Sequence, residues 1–460
     1  MPVLSTIGAA AARGFGWLYR ATAGAGGSLY AWGRNIYGEL GQGNTTDRSS
    51  PVQVGALTTW VHAGAGFNYS AGILLDGSLW TWGYNANGQL GLGDTTSRSS
   101  PVQVGALTNW DLISVNLSTN IALKTDGTLW AFGFNGYGQL GVGNTTNRSS
   151  PVQIGSLTSW TKISTTGFAR DTSHAIRSGG TLWAWGFGNP QTSPYVGEPQ
   201  ATLNQTNYSS PVQVSSAITW AEVSSGGGHA LALTTDGKLY AWGRNSFGEC
   251  GKIDFNNPQY YSYVPDYGEC SGGGTTYGYY QRLDQTMASL GPSNFPNVYN
   301  SDFSECGIPV VGVTVTEVST APDTQLWGFS SPVQVGSLTT WAKIAAGDTH
   351  SLAIRTDGTL WAFGYNGYGQ LGLGNTTGRS SPVQVGALTT WAIADGGANS
   401  SMAVRTDGTL WAWGNNQFGE LGIGNTSNRS SPVQVGTATN WADSINAFSI
   451  GYYHALAIRD

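Results

Sequence analysis

Short runs of alternating apolar and polar residues recur along the chain about every 50 residues. Residues 351–355 (SLAIR) and 359–363 (TLWAF) are typical, and their period of two indicates strands with one buried face. The dipeptide Asp357-Gly358 between them predicts a two-residue type I′ hairpin, because both central positions of that turn require positive φ. No window shows helical periodicity. The pattern therefore predicts an all-β protein built from hairpins.

The hairpins belong to a repeat with fixed internal spacing. The triplet Pro-Val-Gln occurs seven times, at Pro51, Pro101, Pro151, Pro211, Pro332, Pro382 and Pro432. A tryptophan follows each proline by nine residues, at Trp60, Trp110, Trp160, Trp220, Trp341, Trp391 and Trp441. The triplet at Pro382 predicts a further short strand that begins at the proline, which cannot donate to a strand ladder. A repeat of this length is typical of propellers and solenoids.

A longer consensus, Asp-Gly-x-Leu-Trp/Tyr-x-Trp/Phe-Gly-x-Asn-x-x-Gly-Gln/Glu-Leu-Gly, is almost intact at residues 126–141 and 357–372. It resembles the repeats of the regulator-of-chromosome-condensation propellers, and residues 229–233 and 350–354 supply the strand that precedes the turn in that family. The resemblance covers nearly the whole chain and implies a seven-bladed propeller, in agreement with the seven copies. It implies no activity, because members include exchange factors, photoreceptors, inhibitors and scaffolds.

The two ends of the repeat region complete each other. The last residues, 454–460 (HALAIRD), followed by residues 26–33 (GGSLYAWG), recreate one hairpin that is cut at its turn. We therefore expect an all-β, seven-bladed β-propeller over residues 26–460, closed by pairing of the N- and C-terminal segments, with one long loop insertion.

Composition excludes several classes of function. Charged residues make up 10% of the chain, against roughly 25% in typical proteins, and the net charge is −6 without a basic cluster, so we expect no nucleic-acid partner. No apolar run is long enough for a membrane span. No cysteine or histidine spacing suggests a metal, and the glycine-rich turns lack the following helix of a phosphate site, so we expect no cofactor.

Recurring polar residues indicate structural roles. His229, His350 and His454 share one repeat position, where a catalytic histidine would occur once, and we expect each to bond to a neighbouring turn. The recurring arginines are expected to bridge carbonyls of their own loops: Arg48, Arg98, Arg148, Arg379 and Arg429. We therefore predict that the protein is not an enzyme.

Three cysteines are present. Cys250 replaces a leucine of the consensus and is predicted to be a small core residue. Cys270 and Cys306 could form a disulfide that would stabilise the fold by roughly 3–4 kcal/mol, or remain two free thiols in a reducing cell.

The fifth repeat contains an insertion, residues 252–330. It carries seven tyrosines among small polar residues: Tyr260, Tyr261, Tyr263, Tyr267, Tyr277, Tyr279 and Tyr280. Tyrosine gives large contacts at small entropic cost, as in antibody binding sites, so the insertion is predicted to recognise a protein or a glycan. The alternative is a small subdomain that packs on the ring or on neighbours in an assembly.

Residues 1–25 lie outside the repeat. Phe15, Trp17 and Tyr19 alternate as on a strand, next to Arg13. This segment is interpreted either as an arm folded over the propeller or as an anchor into a larger assembly. Residues 8–16 are similar to the N-termini of some tailed-bacteriophage virion proteins.

These observations favour binding or assembly over catalysis. The first hypothesis is a virion structural or host-attachment protein, such as a tail-fibre or surface component, which contacts other virion proteins through residues 1–25 and a host-surface protein or glycan through the insertion. The second is a secreted or cell-surface bacterial module that binds or inhibits another protein. The expected location is accordingly the virion or, in the second case, the cell surface or exterior.

Overall fold

A computed structural model describes residues 26–165, 172–187, 207–252, 261–265, 278–282, 328–444 and 446–460. Within these residues it contains thirty β-strands and no helix. The first fourteen strands are β1 (Ser28–Gly33), β2 (Arg48–Gln53), β3 (Trp60–Ala65), β4 (Tyr69–Leu74), β5 (Leu79–Gly83), β6 (Arg98–Gln103), β7 (Trp110–Val115), β8 (Thr119–Lys124), β9 (Leu129–Gly133), β10 (Arg148–Gln153), β11 (Trp160–Thr165), β12 (Thr172–Arg177), β13 (Leu182–Gly186) and β14 (Tyr208–Gln213).

The remaining strands are β15 (Trp220–Ser225), β16 (His229–Thr234), β17 (Leu239–Arg244), β18 (Tyr261–Pro265), β19 (Gly278–Arg282), β20 (Gly328–Gln334), β21 (Trp341–Ala346), β22 (His350–Arg355), β23 (Leu360–Gly364), β24 (Arg379–Gln384), β25 (Trp391–Gly396), β26 (Ser400–Arg405), β27 (Leu410–Gly414), β28 (Arg429–Gln434), β29 (Phe448–Ile450) and β30 (His454–Arg459).

Twenty-eight of these strands form seven four-stranded antiparallel sheets, the blades of a propeller. Blade 1 is β29-β30-β1-β2, blades 2 to 4 are β3–β6, β7–β10 and β11–β14, blade 5 is β15-β16-β17-β20, and blades 6 and 7 are β21–β24 and β25–β28. The first strand of each blade contacts the first strands of both neighbouring blades, so β29, β3, β7, β11, β15, β21 and β25 line the central channel. The predicted seven-bladed fold is confirmed.

The ring closes as the sequence predicts. Strand β30 pairs with β1, and Leu29 lies opposite Ile458 as Leu79 lies opposite Ile73 in the uncut hairpin of blade 2. Blade 1 therefore contains two strands from each end of the repeat region, and backbone hydrogen bonds join the ends.

The hairpin turns differ from the predicted type. In blade 6, Gly358 N donates to Arg355 O at 2.9 Å and Arg355 N to Thr359 O at 3.0 Å, which defines a three-residue loop with a bulge, not a two-residue type I′ turn. Only the glycine needs a positive φ, and Gly358 has φ of 76°. The aspartate has another role: Asp357 Oδ1 accepts hydrogen bonds from Thr359 N at 3.1 Å and Thr359 Oγ1 at 2.6 Å. Side-chain bonding within the loop explains why Asp-Gly recurs.

The proline of each repeat is placed differently from the prediction. Strand β24 begins at Arg379, three residues before Pro382, so the proline lies inside the strand. It is tolerated because β24 is the outermost strand of its blade and because the pairing with β23 shifts register between Arg379 and Val383.

Tryptophans fill the spaces between blades. The indole that follows each proline by nine residues is buried, and in blades 2 to 7 it begins the innermost strand. Trp60, for example, packs edge-to-face on Trp82 with ring centroids 5.9 Å apart. Cys250 is fully buried in the cluster that joins blades 5 and 6, where the sequence places a small core residue.

Candidate binding face

The two ends of the ring carry different connections. One end, here called the hairpin face, has the Asp-Gly hairpins and the links between blades. The other end, the loop face, has the inner loops between the first and second strands of each blade and the long turns between the third and fourth strands.

The long turns of blades 1, 2, 3, 6 and 7 are each organised by a buried asparagine. In blade 1, Asn35 Nδ2 donates to Asn44 O at 3.0 Å and Thr46 O at 3.1 Å, while Asn35 Oδ1 accepts from Leu40 N at 2.9 Å. Asn85, Asn135, Asn366 and Asn416 make the same bonds in their blades. The asparagine thus sets the conformation of a turn that has no regular secondary structure.

The described long turns, those of blades 1–3 and 5–7, are also bonded to the next blade. The carbonyl of Glu39 accepts from Trp82 Nε1 at 2.8 Å and from Ser70 Oγ at 2.7 Å, and Ser70 Oγ lies 2.8 Å from His454 Nε2. Because the serine hydroxyl donates its hydrogen to the carbonyl, the imidazole must donate from Nε2. The same relay joins His229 to Ser351 and His350 to Ser401. Each of these histidines therefore reaches the long turn of its own blade through a serine of the next blade.

The relay histidines are buried as neutral side chains. Burial lowers the pKa of His350 and of His454 to about 3 and places the pKa of His229 well below its ordinary value. A fully buried imidazole that bonds to a structural serine fits the predicted structural role.

Backbone hydrogen bonds link the inner loops around the channel mouth. Phe67 N donates to Asn116 O, Asp348 N to Gly397 O, and Tyr452 N to Gly66 O, at 3.0–3.4 Å. Equivalent bonds run from Gly227 to Gly347 and from Ala398 to Gly451. The loops of adjacent blades therefore hold one another in position at the centre of the loop face.

Aromatic rings from adjacent blades cluster on the loop face. Among the described residues there are four groups: Tyr37–Tyr84; Phe134–Tyr137–Phe187; Phe247–Tyr365–Tyr368; and Phe418–Tyr453–Tyr452–Phe67, with centroid distances of 4.7–6.4 Å. We call these groups the aromatic belt. Several members are exposed to solvent, including Tyr37 at 37%, Tyr368 at 40% and Phe247 at 41%. The belt has a sequence signal that was not among the predicted site residues: the residue two positions after the buried asparagine is aromatic in five repeats.

Arg34 links three blades at the edge of the belt. Its guanidinium lies 4.0 Å from the ring centroid of Tyr453 and 5.5 Å from that of Phe418, and it donates to Asn68 Oδ1. Its Nε is 3.6 Å from Glu39 Oε1. Burial raises the pKa of Glu39 to about 6, an effect that hydrogen bonds and Arg34 partly offset. The arginine therefore combines ring stacking with partial neutralisation of a buried carboxylate.

Arg244 forms a similar centre in blade 5. Its Nε donates to Glu249 Oε1 at 2.8 Å, and its second guanidinium nitrogen donates to Asp348 O at 2.9 Å. Burial raises the pKa of Asp348 to about 6. Both arginines are mostly enclosed by their partners, so the part of the loop face that surrounds them presents aromatic surface with little free charge.

The recurring arginines behave largely as predicted. Arg98 donates to Thr96 O at 2.6 Å, and Arg379 donates to Gly378 O at 3.0 Å, both within their own turns. Arg98 additionally forms a 2.7 Å ion pair with Asp94.

The predicted recognition tyrosines fall only partly within the described residues. Strands β18 and β19 form a two-stranded sheet inside the insertion, with Tyr263 opposite Tyr280 and Tyr279 opposite Val264; Tyr261 is opposite Arg282. Tyr260, Tyr267 and Tyr277 lie outside the described residues, as do Cys270, Cys306 and the predicted anchor residues Arg13, Phe15, Trp17 and Tyr19. The roles of these residues stay predictions.

The segments that depart from the repeat join the ring at defined faces. The insertion connects the end of β17 to the start of β20, and residues 188–206 connect β13 to β14, so both leave and rejoin the ring at the loop face. The insertion rejoins at Gly328, slightly before the predicted boundary at residue 330. Residues 1–25 precede β1, which starts at the opposite, hairpin face. Residues 253–327 contain eight acidic residues and one basic residue, so they account for all of the net negative charge of the chain.

The described residues contain no group of three or more histidine, cysteine or acidic side chains placed to hold a metal ion. A search of the same ranges for a helix that could cross a membrane finds none.

The fold and the loop face together define a closed, seven-bladed propeller with one aromatic-rich end. A family model for the regulator of chromosome condensation (RCC1) repeat matches residues 26–73, 76–121, 126–167, 357–404 and 407–458, more than half of the chain. A second model of the same repeat matches residues 111–139, 220–249, 341–370 and 393–420. The chain therefore belongs to the RCC1 repeat family, whose propellers are protein-interaction modules.

Similar sequences occur in several known proteins. The chain is 36% identical over 87 residues to the X-linked retinitis pigmentosa GTPase regulator homolog of Caenorhabditis elegans, a match that covers 18% of this chain and 6% of that protein. It is 26% identical over 234 residues to the mitochondrial RCC1 domain-containing protein RUG3 of Arabidopsis thaliana, covering 42% and 52%. It is 28% identical over 163 residues to the probable E3 ubiquitin-protein ligase HERC4 of Homo sapiens, covering 35% and 14%. The chain thus spans at most about half the length of these relatives.

Solved structures share the fold at low identity. Human WBSCR16 has a TM-score of 0.66 and 16% identity, with 94% of this chain and 98% of that chain covered. Prp20p of Saccharomyces cerevisiae, described with its binding to Gsp1p and histones, has a TM-score of 0.68 and 16% identity, with 95% and 93% covered. These structures support the fold alone.

Proposed function

We propose that this protein is a non-catalytic binding protein that contacts a partner protein with its loop face. The aromatic belt is the observation that carries the proposal. Protein interfaces are enriched in tyrosine, tryptophan, phenylalanine and arginine and depleted in lysine and carboxylates. The belt has this composition, with exposed rings beside stacked and ion-paired arginines.

The loop face is also held rigidly, which favours affinity. The long turns are fixed by their asparagines and bonded to the next blade, and the inner loops bond to one another around the channel. A surface that is already ordered loses less conformational entropy when it binds.

Chain connectivity supports a display role. The insertion leaves from the loop face, whereas residues 1–25 enter from the hairpin face. An attachment segment at one end and a recognition segment at the other would make the propeller a spacer between two partners. Prp20p, which shares this fold, is described as binding Gsp1p and histones, so propellers of this shape do bind proteins.

The more specific assignment that we propose is a virion structural or host-attachment protein, with residues 1–25 as the anchor to other virion proteins and the insertion as the host-binding element. Its support is the sequence of residues 8–16 and the low charge of the repeats. A secreted or cell-surface protein-binding module is the second candidate, and the same loop face would serve it.

Site-specific photocrosslinking tests the choice of face. A photoreactive phenylalanine analogue would replace Tyr368 on the loop face or Leu388 on the hairpin face; the two side chains are similarly exposed, at 40% and 42%. Each variant is expressed in the native cell or particle. We expect a discrete protein adduct at position 368 and none at position 388. Adducts at 388 alone, or at neither position, would contradict the proposal.

The captured partner then allows a quantitative test. Tyr368→Ala should weaken its binding by about fivefold or more, which corresponds to the loss of over about 1 kcal/mol found for important interface residues. Tyr279→Ala with Tyr280→Ala tests the contribution of the insertion in the same assay. For the virion assignment, removal of residues 1–25 should release the protein from the particle while the purified chain still binds its receptor.

A further inference from the structure

One position of the described long turns carries glutamine in three blades and glutamate in three others. The glutamines are Gln89, Gln139 and Gln370, and the glutamates are Glu39, Glu249 and Glu420. In all six turns, one side-chain oxygen accepts a hydrogen bond from the backbone nitrogen two residues earlier, at 2.7–3.0 Å. A neutral amide is therefore sufficient for the turn. Each glutamate adds a second oxygen, with a negative charge, that needs a donor of its own.

Two of the three glutamates have an arginine in their own blade. Arg244 Nε donates to Glu249 Oε1 at 2.8 Å, which satisfies the second oxygen in blade 5. In blade 1, Arg34 Nε lies 3.6 Å from Glu39 Oε1, and this oxygen accepts no hydrogen bond from the described residues. The second oxygen of blade 1 is thus paired by charge alone.

Glu420 in blade 7 is the glutamate without an arginine of its own. Asn415 stands at the position where blades 1 and 5 have the arginine. The Glu420 side chain is 1% exposed, and its Oε1 has no hydrogen-bond donor among the described residues. Arg34 of the next blade, whose guanidinium lies 5.5 Å from the ring of Phe418, acts on Glu420 only through space. One guanidinium therefore serves two buried carboxyl groups, Glu39 and Glu420.

The enclosure of Glu420 leaves a proton as the one ligand that its second oxygen can take in this conformation. The oxygen is closed off from solvent, so a water molecule cannot reach it, whereas a proton needs almost no space. A buried carboxylate without a donor is strongly unfavourable, while the neutral acid resembles the glutamine that three blades have here. Burial accordingly raises the pKa of Glu420 to about 7, an effect that backbone hydrogen bonds and Arg34 partly offset.

The other charged and titratable groups around this site do not supply the missing donor. Tyr453 presents the face of its ring to Arg34, with the guanidinium 4.0 Å from the ring centroid. His454 is neutral, because burial lowers its pKa to about 3, and its Nε2 bonds to Ser70. Asp47, in the long turn of blade 1, adds a further negative charge. The balance of charge at the junction therefore depends on the proton of the carboxyl group.

We propose that the junction of blades 7 and 1 is a proton-controlled switch: the long turn of blade 7 is closed while Glu420 is protonated and opens to water when Glu420 is ionised. Arg34 does not follow the charge, because Tyr453 and Asn68 hold its guanidinium. Opening moves Phe418, whose nitrogen donates to Glu420 and whose ring packs on Tyr453 in the aromatic belt at 5.0 Å. The consequence for partner binding rests on the function proposed above, whereas the switch is a property of the chain alone.

Carbon-13 NMR of the full chain, labelled at the glutamate side-chain carboxyl, measures the proton directly. Glu420→Gln identifies the Glu420 resonance, which should titrate with a midpoint near pH 7. Asn415→Arg gives blade 7 the arginine of blades 1 and 5 and should lower this midpoint by about 1–3 pH units, the range for a carboxylate beside an arginine. Glu39→Gln, which leaves Arg34 to Glu420 alone, should lower it in the same direction. A midpoint at the ordinary value of 4.5, or one that neither variant lowers, would overturn the proposal.

Amide hydrogen exchange of the full chain tests the opening, and blade 6 supplies the internal control. Residues 415–428 form the turn with Glu420, and residues 365–378 form the matching turn with Gln370; the organising asparagine makes the same bonds in both. The closed turn of blade 7 loses stability as the pH rises from 4.5 to about 7, because the open turn releases the proton that the closed turn holds. Exchange in this turn, corrected for its intrinsic pH dependence, should therefore increase about tenfold between about pH 6 and about pH 8.

The control turn and the neutral variant decide the interpretation. The turn of blade 6 should not respond to pH, and Glu420→Gln should abolish the response in blade 7. Equal responses in the two turns, no response in blade 7, or a response that persists in Glu420→Gln would each refute the switch. The absence of a crosslinked partner at position 368 would instead refute the binding function and leave these measurements intact.

Discussion

Replacement of His350 should change how the stability of the protein depends on pH. Its imidazole is fully buried, with Nε2 2.8 Å from Ser401 Oγ, and burial lowers its pKa to about 3, against about 6.5 in an unfolded chain. Below pH 6.5 the unfolded state therefore binds a proton that the folded state does not. Stability from this group is fully present above pH 6.5 and is lost as the pH falls towards 3.

The magnitude follows from the pKa difference. One pH unit corresponds to about 1.4 kcal/mol, so His350 should reduce the free energy of unfolding by about 2–3 kcal/mol between pH 6.5 and about pH 4.5. The chain supplies a matched replacement. In blade 7, Ser400 occupies the position equivalent to His350, and the residue that faces it from blade 1, in the position of the partner serine, is Ala455. The double variant His350→Ser with Ser401→Ala therefore reproduces a pair that the fold already accommodates.

Urea unfolding followed by tryptophan fluorescence at several pH values measures the effect. The difference in unfolding free energy between the natural chain and the double variant should fall by about 2–3 kcal/mol from pH 6.5 to about pH 4.5. Buried carboxyls such as Glu39 and Glu420, whose pKa values burial raises to about 6 and about 7, change stability in the opposite direction but equally in both proteins. Parallel stability curves for the two proteins would refute the argument.

Three further changes test the fold. Gly358→Ala should destabilise the protein by more than about 1 kcal/mol, because a Cβ there would collide with a backbone carbonyl of the link to the next blade. Gly386→Ala is the control: it has a similar φ but open space around its Cβ, so it should lose less stability in thermal unfolding. Equal losses of stability would contradict the steric explanation. Trp82→Phe removes a buried hydrogen bond and should cost about 1 kcal/mol more in urea unfolding than Trp60→Phe, whose indole has no acceptor among the described residues; an equal cost would mean that packing alone matters. Removal of residues 435–460 deletes two strands of blade 1 and should give an open, aggregating ring in light scattering, whereas a truncated monomer with an intact melting transition would count against closure.

The sequence allowed the blade count and the closure of the ring to be predicted, because both follow from counting and aligning copies. Leu29 and Ile458 could be paired by comparison with an uncut hairpin. Turn geometry was less accessible. The Asp357-Gly358 loop was assigned the wrong type, because the sequence alone does not show where the last hydrogen bond between the two strands lies, and therefore whether the loop has two or three residues. Pro382 was placed at the start of a strand, although the outermost strand of a blade accepts a proline in its interior.

The aromatic belt was missed for a different reason. Tyr37 and Tyr84 are 47 residues apart in the chain and meet only because adjacent blades bring the long turn of one beside the third strand of the other. Repeat alignment reveals the recurring aromatic position, but the angle between blades decides which rings touch. The hydrogen bonding of the indoles is likewise invisible in sequence, because Trp60 and Trp82 are the same residue type with different access to a carbonyl.

Because the two ends of the repeat region meet in one hairpin of blade 1, the seven blades form a continuous ring in which any blade could come first. Asp460 N donates to Asn440 O as Thr406 N donates to Thr390 O in blade 7, so Asp460 stands where an uncut hairpin has its first loop residue. A peptide bond from Asp460 to Gly26 would give a loop of three residues, the length found at Ser178-Gly179-Gly180 in blade 4. Circular permutants with this junction and new termini at another hairpin should therefore keep the same architecture, and they would allow a fusion partner to be placed at any chosen blade of the ring.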